Sequence, residues 1–195
     1  GNINAERLIT MLNVVDDELV VEEKGIYSVE KFLVARRLMY WQVYFHKTSV
    51  VAEQLLMRVL KRAKELTDKG MDLKASRALS YFLQHEINNT NFTTDTLSVF
   101  AQLDDYDIVS GMKEWQHHDD FVLKNLCDMI INRDLLRVKL KNRKLKLAVV
   151  RVHKENLMKK YNISAKEADY FVFTGEISNQ AYQLRTQSIN ILHKS

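Results

Sequence analysis

Residues 32–47 read FLVARRLMYWQVYFHK, and that stretch decides the fold. Eleven of the fourteen residues from Phe32 to Phe45 are apolar, and at about 100° per residue they fall on every side of a helix. A helix that is apolar all round is expected to be central and buried. Arg36, Arg37 and Gln42 interrupt it, and His46-Lys47 follow it. A buried guanidinium needs a carboxylate, a carbonyl or an external anion as its partner. At steps of four residues Arg36, Tyr40 and Tyr44 share a stripe, with Lys47 close to it. An arginine, two phenols and a lysine in line suit the phosphate, sugar and base of a nucleotide. The same spacing also fits an arginine neutralised by a buried Asp or Glu, with the tyrosines as core.

Outward from this segment the chain continues to read as helix. It has no proline and five glycines in 195 residues, so the usual breaks between elements are missing and long helices are expected. Arg7, Leu8, Met11, Leu12 and Val15 follow helical spacing, predicting a first helix that ends near Asp16-Asp17. Leu19-Val20-Val21 is β-prone. Ser28, with Glu30 in the first turn, is a candidate cap for the helix through Phe32–His46. Further helices are predicted after Thr48-Ser49 as far as Asp68-Lys69-Gly70, then after Asp72, over Leu97–Leu103, over Ile108–Trp115 and over Phe121–Ile131.

The last third changes period. Leu136, Val138 and Leu140 alternate with Arg137, Lys139 and Lys141, a β-like pattern. A helix over Lys146–Tyr161 and a Ser164/Glu167 capping box come next. Val172–Gly175 and Ser188–Leu192 read as short strands. The expected class is mainly α: a multi-helix lobe with a few short strands, divided into a helical part over 1–135 and a small α+β region over 136–195. The chain opens inside a helical pattern and stops inside an apolar one, so a fragment of a longer protein is expected.

Composition narrows the setting. Charged residues make up 28% and apolar residues 46%, which excludes intrinsic disorder as the default. The net charge of +4 suits an anionic ligand. Cys127 is the single cysteine, so no intrachain disulfide can form and a cytoplasmic setting is expected. No apolar run reaches the ~18 residues of a membrane helix, and no membrane partner is expected.

DDELVVEEKGIYSVEKFLVARRLMYWQVYFHKTSVVAEQLL, residues 16–56, resembles the segment just after the metal site in the dNTP triphosphohydrolase branch of HD-domain proteins. That branch includes bacterial dGTPase-like enzymes and the mammalian enzyme that joins a sterile-alpha-motif domain to an HD domain. The most specific part is Arg36-x3-Tyr40-x3-Tyr44-x-His46-Lys47. LDDYDIVSGMKEW, INRDLLRVKL and the stretch from Lys159 to the end look like later parts of the family. The resemblance spans nearly the whole chain, strongest over the first sixty residues and looser between Lys64 and Asn91.

The resemblance implies an HD-family fold and a divalent metal in the parent enzyme. It implies a dNTP substrate, with a metal-bound water attacking the phosphate on the 5′ oxygen, and a homo-oligomer. By position, Arg36 matches a phosphate contact and Tyr44 a tyrosine against the deoxyribose. Tyr40 falls where the mammalian enzyme has an active-site histidine. His46 and Lys47 match nucleotide-effector contacts between subunits, with Arg7, Lys24 and Arg133 near the same interface. The family's His…His-Asp…Asp metal ligands all lie upstream of the matched region. No metal is therefore expected on this chain, and alone it is expected to be inactive.

The residues themselves leave further readings. His118-Asp119 is the one His-Asp pair; after His117, it suggests a metal less than it suggests Asp119 or Asp120 capping a helix. His85 and His153 stand alone, and Cys127 lies on an apolar face as core. Arg137–Arg151 holds seven basic residues and no acidic one. That run carries the alternative function, a non-catalytic helical module binding nucleic acid or a protein, against a plain solvated face. It contains no aromatic residue, which argues against a platform for stacking single strands.

Overall fold

The structure, a computed structural model, describes residues 4–141, 145–177 and 188–193. The chain divides into two units, Gly1–Ser49 with Glu176–Ser195, and Val50–Gly175. The division expected between 135 and 136 falls inside the second unit.

In the first unit, α1 (Ala5–Thr10) begins where the Asn4 side chain accepts the Arg7 N–H at 3.1 Å. The helix stops at Thr10 and does not run to Asp16. Leu12–Val15 is instead strand β1, antiparallel to β2 (Glu18–Glu22), with Leu12 opposite Val21 and Val15 opposite Glu18. The spacing of Leu8, Met11 and Leu12 fits a helix, but β-branched Val14 and Val15 gain cross-strand partners in Leu19 and Glu18, and pairing overrides the local period. Asp16 and Asp17 make the turn with φ of 51° and 63°. Two left-handed residues are what a two-residue hairpin needs, and Asp tolerates that region better than most side chains. Strand β3 (Asn190–Leu192), in the expected place, lies parallel to β2 and completes the order β1-β2-β3.

After a 3-10 turn at Glu23–Gly25, α2 runs over Ile26–Met39 and passes into a π-helical turn at Tyr40–Tyr44. Ser28 does not cap it. The cap position lies three residues earlier, at Gly25, without a side-chain cap. Gly25 is there for space: a Cβ would lie 2.7 Å from the Met11 Cβ and 2.9 Å from a Val21 methyl. The main correction concerns burial. No residue of α2 or of the π-turn is buried, and Trp41 is 64%, Val34 59% and Leu38 52% exposed. Among the described residues of this unit only Val20, Val21 and Gly25 are buried. A helix apolar on all sides needs covering on all sides, and this unit alone does not supply it.

The second unit holds the core. Helix α3 (Lys47–Asp68) buries Val51, Leu55, Val59, Ala63 and Leu66 along one stripe. The following helices are α4 (Arg77–Gln84), α5 (Thr94–Phe100), α6 (Asp105–Trp115) and α7 (Phe121–Ile131). Their caps are Ser76, Thr93, Asp104 and Asp120, so Ser76 takes the place expected for Asp72. Helix α8 (Leu147–Tyr161) and the short α9 (Ala165–Ala168), with its Ser164/Glu167 capping box, match the sequence reading. Trp115, Leu55, Leu66, Leu123 and Leu126 fill the interior, and the Trp115 indole N–H donates to the Lys74 carbonyl at 2.9 Å. Buried Cys127 joins them, its thiol pushed up to about 12 by burial and then by Asp128. Leu136–Leu140 forms no strand: Leu136 and Val138 pack on the core without a pairing partner. Val172–Gly175 is likewise not a strand. Among the described residues no helix is long and apolar enough to cross a membrane.

Candidate functional site

The last turns of α2 bring the predicted nucleotide-contacting residues together. The Arg36 guanidinium carbon sits 5.8 Å from the centre of the Tyr40 ring, and the Tyr40 and Tyr44 rings are 4.9 Å apart at 43°. The stripe is thus a continuous cation–phenol–phenol face. Tyr44 is 53% exposed, and Arg36 is exposed with no ion pair among the described residues. The buried carboxylate that a buried arginine would demand is absent because the arginine is not buried.

A π-turn shapes this face. The Phe45 N–H donates to the Tyr40 carbonyl at 2.8 Å, five residues back. In an α-helix residues five apart point roughly 140° apart; here the Tyr40 and Phe45 rings lie 5.9 Å apart. The widened turn lets Tyr40 meet Tyr44 and Phe45 at once. Such turns recur at functional sites. A second ladder runs alongside, with the Arg37 guanidinium 5.8 Å from the Trp41 ring. The sequence reading did not single out that pair, although its four-residue spacing was visible.

The remaining candidates are more scattered. Within the first unit, exposed His46 accepts the Thr48 N–H at Nδ1, 3.3 Å away, and Lys47 opens α3. Arg7 lies in α1 and Lys24 in the 3-10 turn, both exposed. Arg133 belongs to the second unit, exposed just past α7 with φ of 58°. A left-handed arginine costs about 1 kcal/mol.

The His-Asp candidate is structural. His118 Nδ1 accepts the Asp120 N–H at 2.9 Å, and Asp120 accepts the Leu123 N–H at 2.8 Å as cap of α7. Asp120 also takes a two-point bond from Arg62 of α3, at 3.0 and 2.6 Å. Burial pushes its carboxyl up, but the Arg62 and Leu123 hydrogen bonds with the Arg62 charge outweigh this and hold it below the usual range. Nearby, the Arg58 guanidinium lies 3.2 Å from the Phe173 ring centre. The Tyr170 hydroxyl is buried without a partner among the described residues, and burial raises its pKa. Sequence reading missed this cluster because its partners lie far apart along the chain.

Among the described residues no group of three or more His, Cys, Asp or Glu side chains converges as a metal ion would require. The residues present therefore do not make the divalent-metal centre that the resemblance implies.

Residues 3–76 match the family described as the HD associated region. The uncharacterized protein YwfO of Bacillus subtilis is 31% identical over 138 residues, covering 70% of this chain and 30% of that protein. An uncharacterized Mycoplasma pneumoniae protein is 31% identical over 117 residues, covering 59% of this chain and 28% of its own. The crystal structure of a phosphohydrolase from Bacteroides thetaiotaomicron superposes with a TM-score of 0.89 at 45% identity, over 99% of this chain and 48% of that one. The chain thus spans about half the length of the solved phosphohydrolase and 28–30% of these two relatives. The mainly helical fold with its small sheet is shared with that phosphohydrolase. The match over residues 3–76 supports the HD-domain family.

Proposed function

We propose that the chain is part of a metal-dependent HD-family phosphohydrolase acting on deoxynucleoside triphosphates, and that it contributes binding groups and not the metal centre. The Arg36–Tyr40–Tyr44 face carries this reading. Arg36 is exposed and without a carboxylate partner among the described residues, so its fork of donors is available to a phosphate. Tyr40 and Tyr44 continue the face at the spacing at which a sugar follows a phosphate, and a phenol edge against the sugar's C2′ leaves no room for a hydroxyl. The divalent metal would be held by residues outside 1–195. His46, Lys47, Arg7, Lys24 and Arg133 are proposed as contacts to nucleotide effectors or to a neighbouring subunit of a homo-oligomer. The phosphohydrolase likeness over 99% of the chain supports the hydrolase class; the choice of dNTP rests on the motif.

The test uses the longer protein encoded around this chain, assayed with dNTPs and Mg²⁺, Mn²⁺ or Co²⁺. Triphosphate should be released by the longer protein and not by residues 1–195. Arg36→Ala should leave the melting temperature within a degree or two and lower kcat/KM by about 10² or more, as expected for a lost charge-assisted phosphate contact. Tyr44→Phe should act more mildly, relaxing discrimination against ribonucleotides. A variant at Arg36 that melts many degrees lower yet keeps its activity per folded molecule would make the arginine structural.

A further inference from the structure

The charges of this chain are segregated. From Arg137 to Lys160 there are ten basic residues and one acidic, a net of +9, within a total of +4. The rest of the chain is therefore net −5. Such asymmetry suggests a surface that faces a polyanion.

The structure shows how these charges are displayed. Leu136 and Val138 pack against the core, so the alternating Arg137 and Lys139 turn outward, and Lys141 is exposed with them. The alternation comes from one side resting on the core, with no strand beside it among the described residues. Helix α8 follows, with Arg151, Lys159 and Lys160 exposed. Of the described basic residues in this stretch, Lys154 is the one held in an ion pair, with Asp169. The others have no carboxylate partner among the described residues.

The aromatic environment selects among polyanions. Residues 137–160 contain no Phe, Tyr or Trp; their one aromatic ring is the exposed His153 imidazole on α8, and neighbouring Tyr161 is occupied, with Lys160 Nζ 4.8 Å and the Phe121 ring 5.5 Å from its ring centre. Single-strand binders stack successive bases on several free aromatic faces, and one imidazole does not supply such a platform. A duplex asks only for cations in reach of its backbone.

We propose that Arg137–Lys141 and α8 form a ridge that holds the phosphate backbone of a nucleic-acid duplex without reading its sequence. The ridge lies within one unit and does not depend on the substrate reading above.

The test is binding of a short labelled duplex to the chain at about 50 and 200 mM salt, where non-specific affinity is expected at about 10⁻⁴–10⁻⁶ M with a steep salt slope. The triple variant Arg137→Glu/Lys139→Glu/Lys141→Glu should bind at least tenfold more weakly and lose about 3 from the slope of log K against log salt. Its melting temperature should be unchanged, since all three side chains are exposed. Lys61→Glu/Lys69→Glu/Lys113→Glu, the same charge change at exposed sites elsewhere on the unit, should bind within about twofold of the parent. Equal loss in both triples would reduce the effect to net charge and overturn the ridge. So would affinity weaker than about 10⁻⁴ M at the lower salt, or equal affinity for a single strand or for polyglutamate.

Discussion

Arg62 and Asp120, at 11% and 12% side-chain exposure, are joined by two short hydrogen bonds, and Glu65 stands 3.3 Å from the same guanidinium. Removing the Asp120 charge leaves the nearly buried Arg62 with Glu65 as its remaining carboxylate partner among the described residues. Asp120→Asn keeps a good helix cap but deletes the carboxylate, and should cost about 2 kcal/mol, below the cost of a fully stranded charge because Glu65 remains. The pH dependence follows from the direction of the shift. A carboxyl held below its ordinary value contributes stability that is fully present above its unfolded pKa, about 3.9, and lost as pH falls through the lower folded value. Urea midpoints between pH 6 and about 3 should therefore fall for the parent, and fall less for Asp120→Asn. A variant as stable as the parent at pH 6 would contradict the role given to this pair. Asp120 was readable as a cap because a cap is a local pattern. Its partner, 58 residues away, was not.

At the scale of elements the same divide holds. The Ser164/Glu167 box closes both ways: Ser164 Oγ accepts the Glu167 N–H at 3.3 Å, while Glu167 accepts the Ser164 N–H at 2.8 Å and its hydroxyl at 2.7 Å. Those bonds, the hydroxyl's first, lower the Glu167 carboxyl's pKa. Ser164→Ala should cost about 1 kcal/mol, measurable as a lower urea midpoint; no change would mean that Tyr170 and Phe171 hold α9 by packing alone. This box, α7 and the body of α3 were legible because capping residues and a clean apolar stripe sit within a few positions. Leu12–Val15 was misread because its partner strand outweighs its own period. Leu136–Leu140 alternates because one side rests on a core, an environment indistinguishable in sequence from a sheet. The Arg36–Tyr40–Tyr44 alignment was legible from spacing. The π-turn that adds Phe45 to it was not, since no residue type announces a five-residue hydrogen bond.

For the molecule as a whole, burial is uneven. The second unit encloses a continuous core, whereas the first exposes Tyr27, Val34, Leu38, Met39, Trp41 and Val43, each at 48% or more. Apolar area of this extent is uncommon on a free monomer. The isolated chain should associate as its concentration rises, and Leu38→Glu/Trp41→Glu should shift it toward monomer in sedimentation velocity. A chain that stays monomeric at high concentration without those changes would show that the apolar helix tolerates water. Gly25 has a different kind of consequence, for anyone ranking positions by how many replacements they accept. Its missing side chain is the room in which Met11 and Val21 meet the start of α2, so a saturation library should reject nearly every substitution there. Gly175, with open space where its Cβ would be, should accept most. A survey of mutational tolerance would score Gly25 like a ligand contact, although what it protects is the joint between a hairpin and a helix.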